Sequence, residues 1–258
     1  MLTDGGNFLT IHGQAGAARP VIKTDANYGI QLTGGSSLSG VEVDDSAAGA
    51  WGIAVMFGIE ATVSHVYVHT TGSNAWACYP DGELIDSVCW DSGPGGGAAR
   101  PLVVLPAMVV AINDTLIASG TGGVGAEVIG AGPANMTMSL TNTIVRGTGK
   151  DIYVTGEETS PGLLTITADH SNYANGVDDA TGSGTSMFTP AGSGTNETTM
   201  PKFVDAAAGN FHELSGSPTI GRGPRTRSRA RLTSMGCRGP RRPTSVRTSS
   251  TTRPAARP

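Results

Sequence analysis

Nowhere in the 258 residues is there the run of about 18 consecutive apolar residues that a membrane-spanning helix requires. Aromatic residues make up 5% of the chain and charged residues 15%, which sets it apart from an ordinary globular enzyme. Three cysteines, Cys78, Cys89 and Cys237, form no CxxC pair and no even framework. That excludes a zinc ribbon and a disulfide-dense scaffold and leaves a single Cys78–Cys89 bridge as an open pairing. No GxGxxG or GxxxxGK[ST] pattern opens a helix, so a nucleotide cradle is not expected. The start lacks the basic-then-apolar pattern of a signal peptide. Met1 instead leads at once into residues 7–13, Asn-Phe-Leu-Thr-Ile-His-Gly, which read as strand and turn, so the natural N-terminus is expected upstream.

The net charge of −4 hides two unlike pieces, because residues 221–258 hold 11 arginines and no acidic residue. The body keeps 6 basic residues against 21 acidic ones, a balance of −15. An acidic body argues against nucleic-acid binding, which needs basic surface to displace counterions from phosphates.

What the chain does have is 38 glycines, with Ser, Thr, Ala, Asn and Val abundant around them. Frequent turns and short strands follow from that composition. The trio Asn142-Thr143-Ile144 is echoed by Asp114-Thr115-Leu116, Asp86-Ser87-Val88, Ser64-His65-Val66 and Ser39-Gly40-Val41, at steps of 28, 28, 22 and 25 residues. Between the trios runs a second series of apolar stretches beginning at Gly29, Gly52, Ala75, Leu102, Gly125 and Asp151, at steps of 23, 23, 27, 23 and 26. Two interleaved series with one shared period predict an all-β solenoid in which each coil gives at least two strands, a right-handed parallel β-helix. Alternation then predicts that Val41, Val43, Val66, Val68, Val88, Trp90, Leu116 and Ile144 face inward, and Glu42, Tyr67, Cys89, Ile117 and Val145 outward.

The expected organisation is coils over 1–175, a Gly/Ser/Thr-rich surface loop over 176–200, a capping segment over 201–220 that covers an open solenoid end, and a disordered basic tail over 221–258. The trios, the glycine punctuation and the run from Phe203-Val204-Asp205 through Gly209-Asn210-Phe211 to Gly216-Ser217-Pro218-Thr219-Ile220 resemble bacterial right-handed parallel β-helix repeat proteins. More narrowly, they resemble the choice-of-anchor (Q-type) β-helix surface proteins of pectin-lyase-like fold, over roughly residues 7–220. The resemblance implies a secreted or cell-surface protein, a monomer, acting as spacer, adhesin or polysaccharide-binding module. It breaks off after Ile220, where Arg, Pro, Ser and Thr take over; a shift of reading frame is the expectation there.

Two sets of polar residues stand out. Ser64, Asp86, Asp114 and Asn142 recur at the bends and are expected to form a structural turn ladder. Three residues beyond the inward valines, Asp44, His69 and Asp91 are expected in one column, with Asp45 adjoining the first. Carboxylates so spaced suit a general acid and base, or a Ca²⁺ ion held by Asp44 and Asp91. Tyr67 and Glu42 would then contact a sugar. That set supports the alternative of a polysaccharide lyase or glycoside hydrolase acting on an acidic polysaccharide. The motif set of polygalacturonase-like β-helices is not assembled, however, and no Ser-His-Asp order is visible along the chain, so a non-catalytic β-helix without cofactor is the favoured expectation.

Overall fold

The computed structural model describes residues 2–3, 10–12, 18–33, 35–56, 61–100, 107–130, 135–156, 162–179, 185–190 and 195–224. All belong to one unit ending at Pro224; the basic tail, from Arg225 on, and the apolar run of residues 102–105 lie outside the described residues.

The strands stack into three parallel sheets, here named A, B and C in the order in which the chain visits them. Sheets A and B have eight strands each and sheet C six, and each interior strand pairs with its counterparts in the preceding and following coils. Strands of two to seven residues are too short to stand alone, and lateral stacking gives their N–H and C=O groups partners. The fold is therefore a parallel β-helix. Among the described residues the one helical element is the 3₁₀ turn Ala206–Ala208, and no helix is long and apolar enough to cross a membrane.

Three aliphatic columns fill the interior. Sheet A contributes Ile30, Ile53, Cys78, Ala99, Ala126 and Ile152. Sheet B contributes Leu38, Val63, Leu84, Ala111, Leu140 and Ala168, and sheet C contributes Val43, Val68, Cys89, Leu116 and Val145. All are buried, and each larger aliphatic contributes about 1.5–3 kcal/mol by leaving water.

The facing of Val41, Val43, Val66, Val68 and Leu116 agrees with the sequence pattern, whereas Cys89 and Val145 point inward and Val88, Trp90 and Ile144 outward, opposite to expectation. The cause is unequal coil length. Ser39 pairs with Ser64, but Ser64 pairs with Ile85 rather than Asp86, and a slip of one residue exchanges the faces of a strand. With Cys89 turned inward it meets Cys78 across the core, and the two form a disulfide at a Cα separation of 5.8 Å.

The same slip redraws the turn ladder. Among the described residues, the one between sheets B and C takes positive φ in six successive coils: Gly40, His65, Asp86, Asn113, Asn142 and His170. Asn113 Nδ2 donates to Asp86 Oδ1 at 3.0 Å, and Asn142 Nδ2 to Asn113 Oδ1 at 2.7 Å. Asp86 and Asn142 thus sit in the ladder, but Ser64 lies one residue before it and Asp114 one after. Asp114 belongs to an inner row with Ser87, Thr143 and Ser171, whose side chains bond backbone groups: Asp114 Oδ1 accepts from Ser87 N, Ser171 Oγ accepts from Thr143 N, and Thr143 Oγ1 donates to Thr141 O.

Two further differences concern the C-terminal part. Within the expected surface loop, Gly176–Asp179 and Thr185–Pro190 extend sheets A and B by a strand each. The segment expected to cap an end instead forms the antiparallel pair Phe203–Asp205 and Asn210–Glu213, which packs on the outer flank of sheet C.

Candidate functional site

The outer flank of sheet C carries two side-chain columns, fixed by the parallel register. One runs Val21, Glu42, Tyr67, Val88, Thr115, Ile144; the other runs Lys23, Asp44, His69, Trp90, Ile117, Arg146. Glu42, Asp44, Tyr67 and His69 form a polar stretch of these columns, and Val88, Trp90, Ile117 and Ile144 an apolar one beside it.

The hairpin covers the apolar part. Phe211 meets Trp90 edge-on at 5.5 Å and Phe203 at 5.3 Å. Asp205 accepts from Ala208 N to start the connecting turn, and Gly209 ends it at φ 74°. Glycine is required there twice over, because a Cβ would also run into the Tyr67 hydroxyl and the Trp90 ring. Tyr67 Oη donates to Gly209 O at 3.1 Å, and burial, then the nearby Glu42 and Asp44, push the phenol up to about 12. Between hairpin and flank lies a groove of about 560 Å³ whose polar lining comes from Arg19, Glu42, Tyr67, Thr115, Asn210 and His212.

Beside the groove, His69 lies flat on Trp90 with ring centroids 3.7 Å apart and planes 7° from parallel. Its Nε2 is 2.8 Å from Ser92 Oγ, and its Nδ1 is 3.5 Å from Asp44 Oδ1. Lys23 Nζ stands 3.4 Å from the other Asp44 oxygen, and Trp90 Nε1 donates to Ser119 Oγ at 2.8 Å. Burial lowers the His69 pKa, and Asp44 pulls it the other way.

The structure separates the expected carboxylate column. Asp44 stacks on His69, but His69 stacks on Trp90; Asp91 falls in the next, inward row with Asp45 and Thr70. Asp91 is 0% exposed, accepts from Thr70 Oγ1 at 2.8 Å and Gly93 N at 3.3 Å, and has its second oxygen without a hydrogen-bond partner. Burial pushes its carboxyl up to about 7, and it raises the pKa of Asp45 too. Asp45 accepts from Ala47 N at 3.0 Å. Both side chains fasten the turn from sheet C to sheet A. Asp44 and Asp91 lie on opposite sides of sheet C, so the pairing needed for a shared Ca²⁺ ion or an acid–base pair is not there. Among the described residues no three of His, Cys, Asp and Glu are grouped as metal ligands.

Sequence reasoning found Glu42, Tyr67, Asp44 and His69 on one flank but missed Ser92, Arg19, Asn210 and His212. Ser92 lies in a turn 23 residues after His69, and their meeting depends on a coil length that is not read from either residue alone. It also missed an aromatic cluster on the outer face of sheet A, where Trp51 stacks on Tyr79 at 4.4 Å and Arg100 lies over Trp76 at 4.3 Å. Among the described residues most aromatic side chains lie on these two faces, while Tyr173 and Phe188 meet in the core.

Comparison with protein-family models, with curated proteins and with solved structures returns no match.

Proposed function

We propose that this chain is an extracellular or cell-surface β-helix that binds polysaccharide along the flank of sheet C without cutting the polymer backbone. The observation that carries the reading is the groove between hairpin and flank, which joins an aromatic ring, Tyr67, to hydrogen-bonding groups of both charges, Arg19 and Glu42, with Asn210 and His212 opposite. Sugar rings present apolar faces and hydroxyl edges, and a concave site with an aromatic wall and a few directed polar groups matches both. An open groove along a rigid stack suits a polymer better than a small molecule.

Two features support the wider setting. A disulfide inside the core fits an oxidising compartment outside the cytosol. The sequence resemblance to choice-of-anchor surface proteins of bacteria points the same way. A lyase or glycosidase reading loses its best support, because Asp91 is buried and faces away from Asp44.

A glycan array followed by a turnover assay with and without Ca²⁺ tests this. The expected result is binding to at least one polysaccharide with unchanged chain length, weakened tenfold or more in Glu42→Ala/His212→Ala. Shortened chains, or binding indifferent to both substitutions, would contradict it.

A further inference from the structure

We propose that Ser92, His69 and Asp44 form a hydrolytic triad on the sheet C flank that removes acyl esters carried by the bound polysaccharide. The substrate class rests on the polysaccharide reading above; the triad itself rests on the geometry of three successive coils.

Parallel register sets Asp44 beside His69, and Ser92 lies two residues beyond Trp90, the partner of His69, so all three project from the same side. The imidazole then bridges a hydroxyl at 2.8 Å and a carboxylate at 3.5 Å through its two different nitrogens. This is the arrangement of nucleophile, base and orienting acid that recurs on unrelated folds. Hydrogen bonds of this kind are often long before substrate binds. The ring plane is held by Trp90, which is itself fixed by Ser119 and by Phe211 of the hairpin. The competing contact of Ser92 Oγ, to Thr70 O, is 3.4 Å, so the hydroxyl proton has its better acceptor in His69 Nε2.

Desolvation lowers the His69 pKa, which favours the neutral form that a general base requires, and Asp44 stabilises the imidazolium formed during reaction. His69 is 20% and Asp44 36% exposed in their side chains. A site this shallow cannot engulf a substrate, but it can meet an acyl group that hangs from a polymer lying along the flank.

The reaction balances with water as co-substrate. Ser92 Oγ attacks the ester carbonyl carbon and its proton passes to His69 Nε2. The carbon–oxygen bond to the sugar breaks, and His69 returns the proton to the departing sugar hydroxyl, leaving acyl-Ser92. Water then attacks the acyl carbon while His69 takes its proton. Collapse releases the carboxylic acid and restores the Ser92 hydroxyl with the proton from His69. Ser92 and His69 are the catalytic residues, and Asp44 is a positioning residue.

Treatment of the full chain with a fluorophosphonate probe, peptide mapping by mass spectrometry and hydrolysis of 4-nitrophenyl acetate test the triad independently of any polysaccharide. The expected result is phosphonylation at Ser92, lost in Ser92→Ala and slowed tenfold or more in His69→Gln. Asp44→Asn should slow labelling similarly, with partial recovery in Asp44→Glu. An unlabelled Ser92 in folded wild-type protein overturns the triad whatever the variants do. Acetate release from O-acetylated xylan or pectin tests the substrate class. Labelling at Ser92 without acetate release from either overturns that class and leaves polysaccharide binding to be judged by the array.

Discussion

Three aspartates with buried side chains, Asp45, Asp91 and Asp114, are used as backbone caps, and each leaves one carboxyl oxygen without a hydrogen-bond partner among the described residues. Burial is the largest influence on all three and raises every one, Asp114 well above its ordinary value of 3.8. In the unfolded chain Asp91 ionises near 3.8, whereas in the fold it keeps its proton to about 7. Between those values the unfolded state binds fewer protons, so the contribution of Asp91 to stability is fullest below 3.8 and falls as pH rises towards about 7, at up to about 1.4 kcal/mol per pH unit. Over that window the melting temperature of the wild type should therefore fall relative to that of Asp91→Asn. Identical slopes in the two proteins would show that Asp91 is ionised in the fold. Two of these residues explain a misreading at sequence level: Asp45 and Asp91, next to or in register with Asp44 on paper, resemble members of a column of catalytic acids, and only their burial identifies them as caps.

At the scale of elements, the hairpin Phe203–Asp205 and Asn210–Glu213 is the part that turns a plain flank into a groove. It is joined to sheet C by a few contacts: Phe211 and Phe203 on the apolar patch, and the Tyr67 hydrogen bond to Gly209. Truncation of a packed Phe costs about 3–5 kcal/mol, more than a small two-stranded unit can lose and stay docked. Phe211→Ala is expected to expose the hairpin to proteolysis and shift Trp90 fluorescence to the red while the coils keep their melting temperature. Loss of the coils together with the hairpin would mean that the segment is integral to the solenoid. The presence of strands and coils was legible from the 22–28-residue spacing of the trios, because a stacked fold repeats its apolar positions. Their exact facing was not. Coils differ in length by several residues, and the residue that adopts positive φ is Asp, Asn, His or Gly, so Ser64-His65 and Asn113-Asp114 each offer two candidates for one bend. A choice wrong by one position reversed Cys89 and Trp90, left the disulfide an open pairing and set Asp91 beside Asp44. The hairpin's docking on a flank depends on long-range packing that no local pattern records.

At the scale of the molecule, the stack supplies rigidity and the hairpin supplies a site. The Cys78–Cys89 bridge ties sheet A to sheet C inside one coil, with 11 residues of sequence separation. A loop of that size contributes about 2–3 kcal/mol. The double substitution Cys78→Ala/Cys89→Ala should lower stability by that amount and leave ligand binding unchanged, since both side chains are sealed in the core. A loss of binding at full folding would place the bridge in the site. The proposed polysaccharide site is the sheet C flank with its hairpin. Hydrogen–deuterium exchange of the full chain, with and without the best ligand from a glycan array, tests it most directly. Added protection is expected in Glu42–Asp45, Tyr67–Thr70 and Asn210–Glu213. Protection confined to sheet A or sheet B would contradict it.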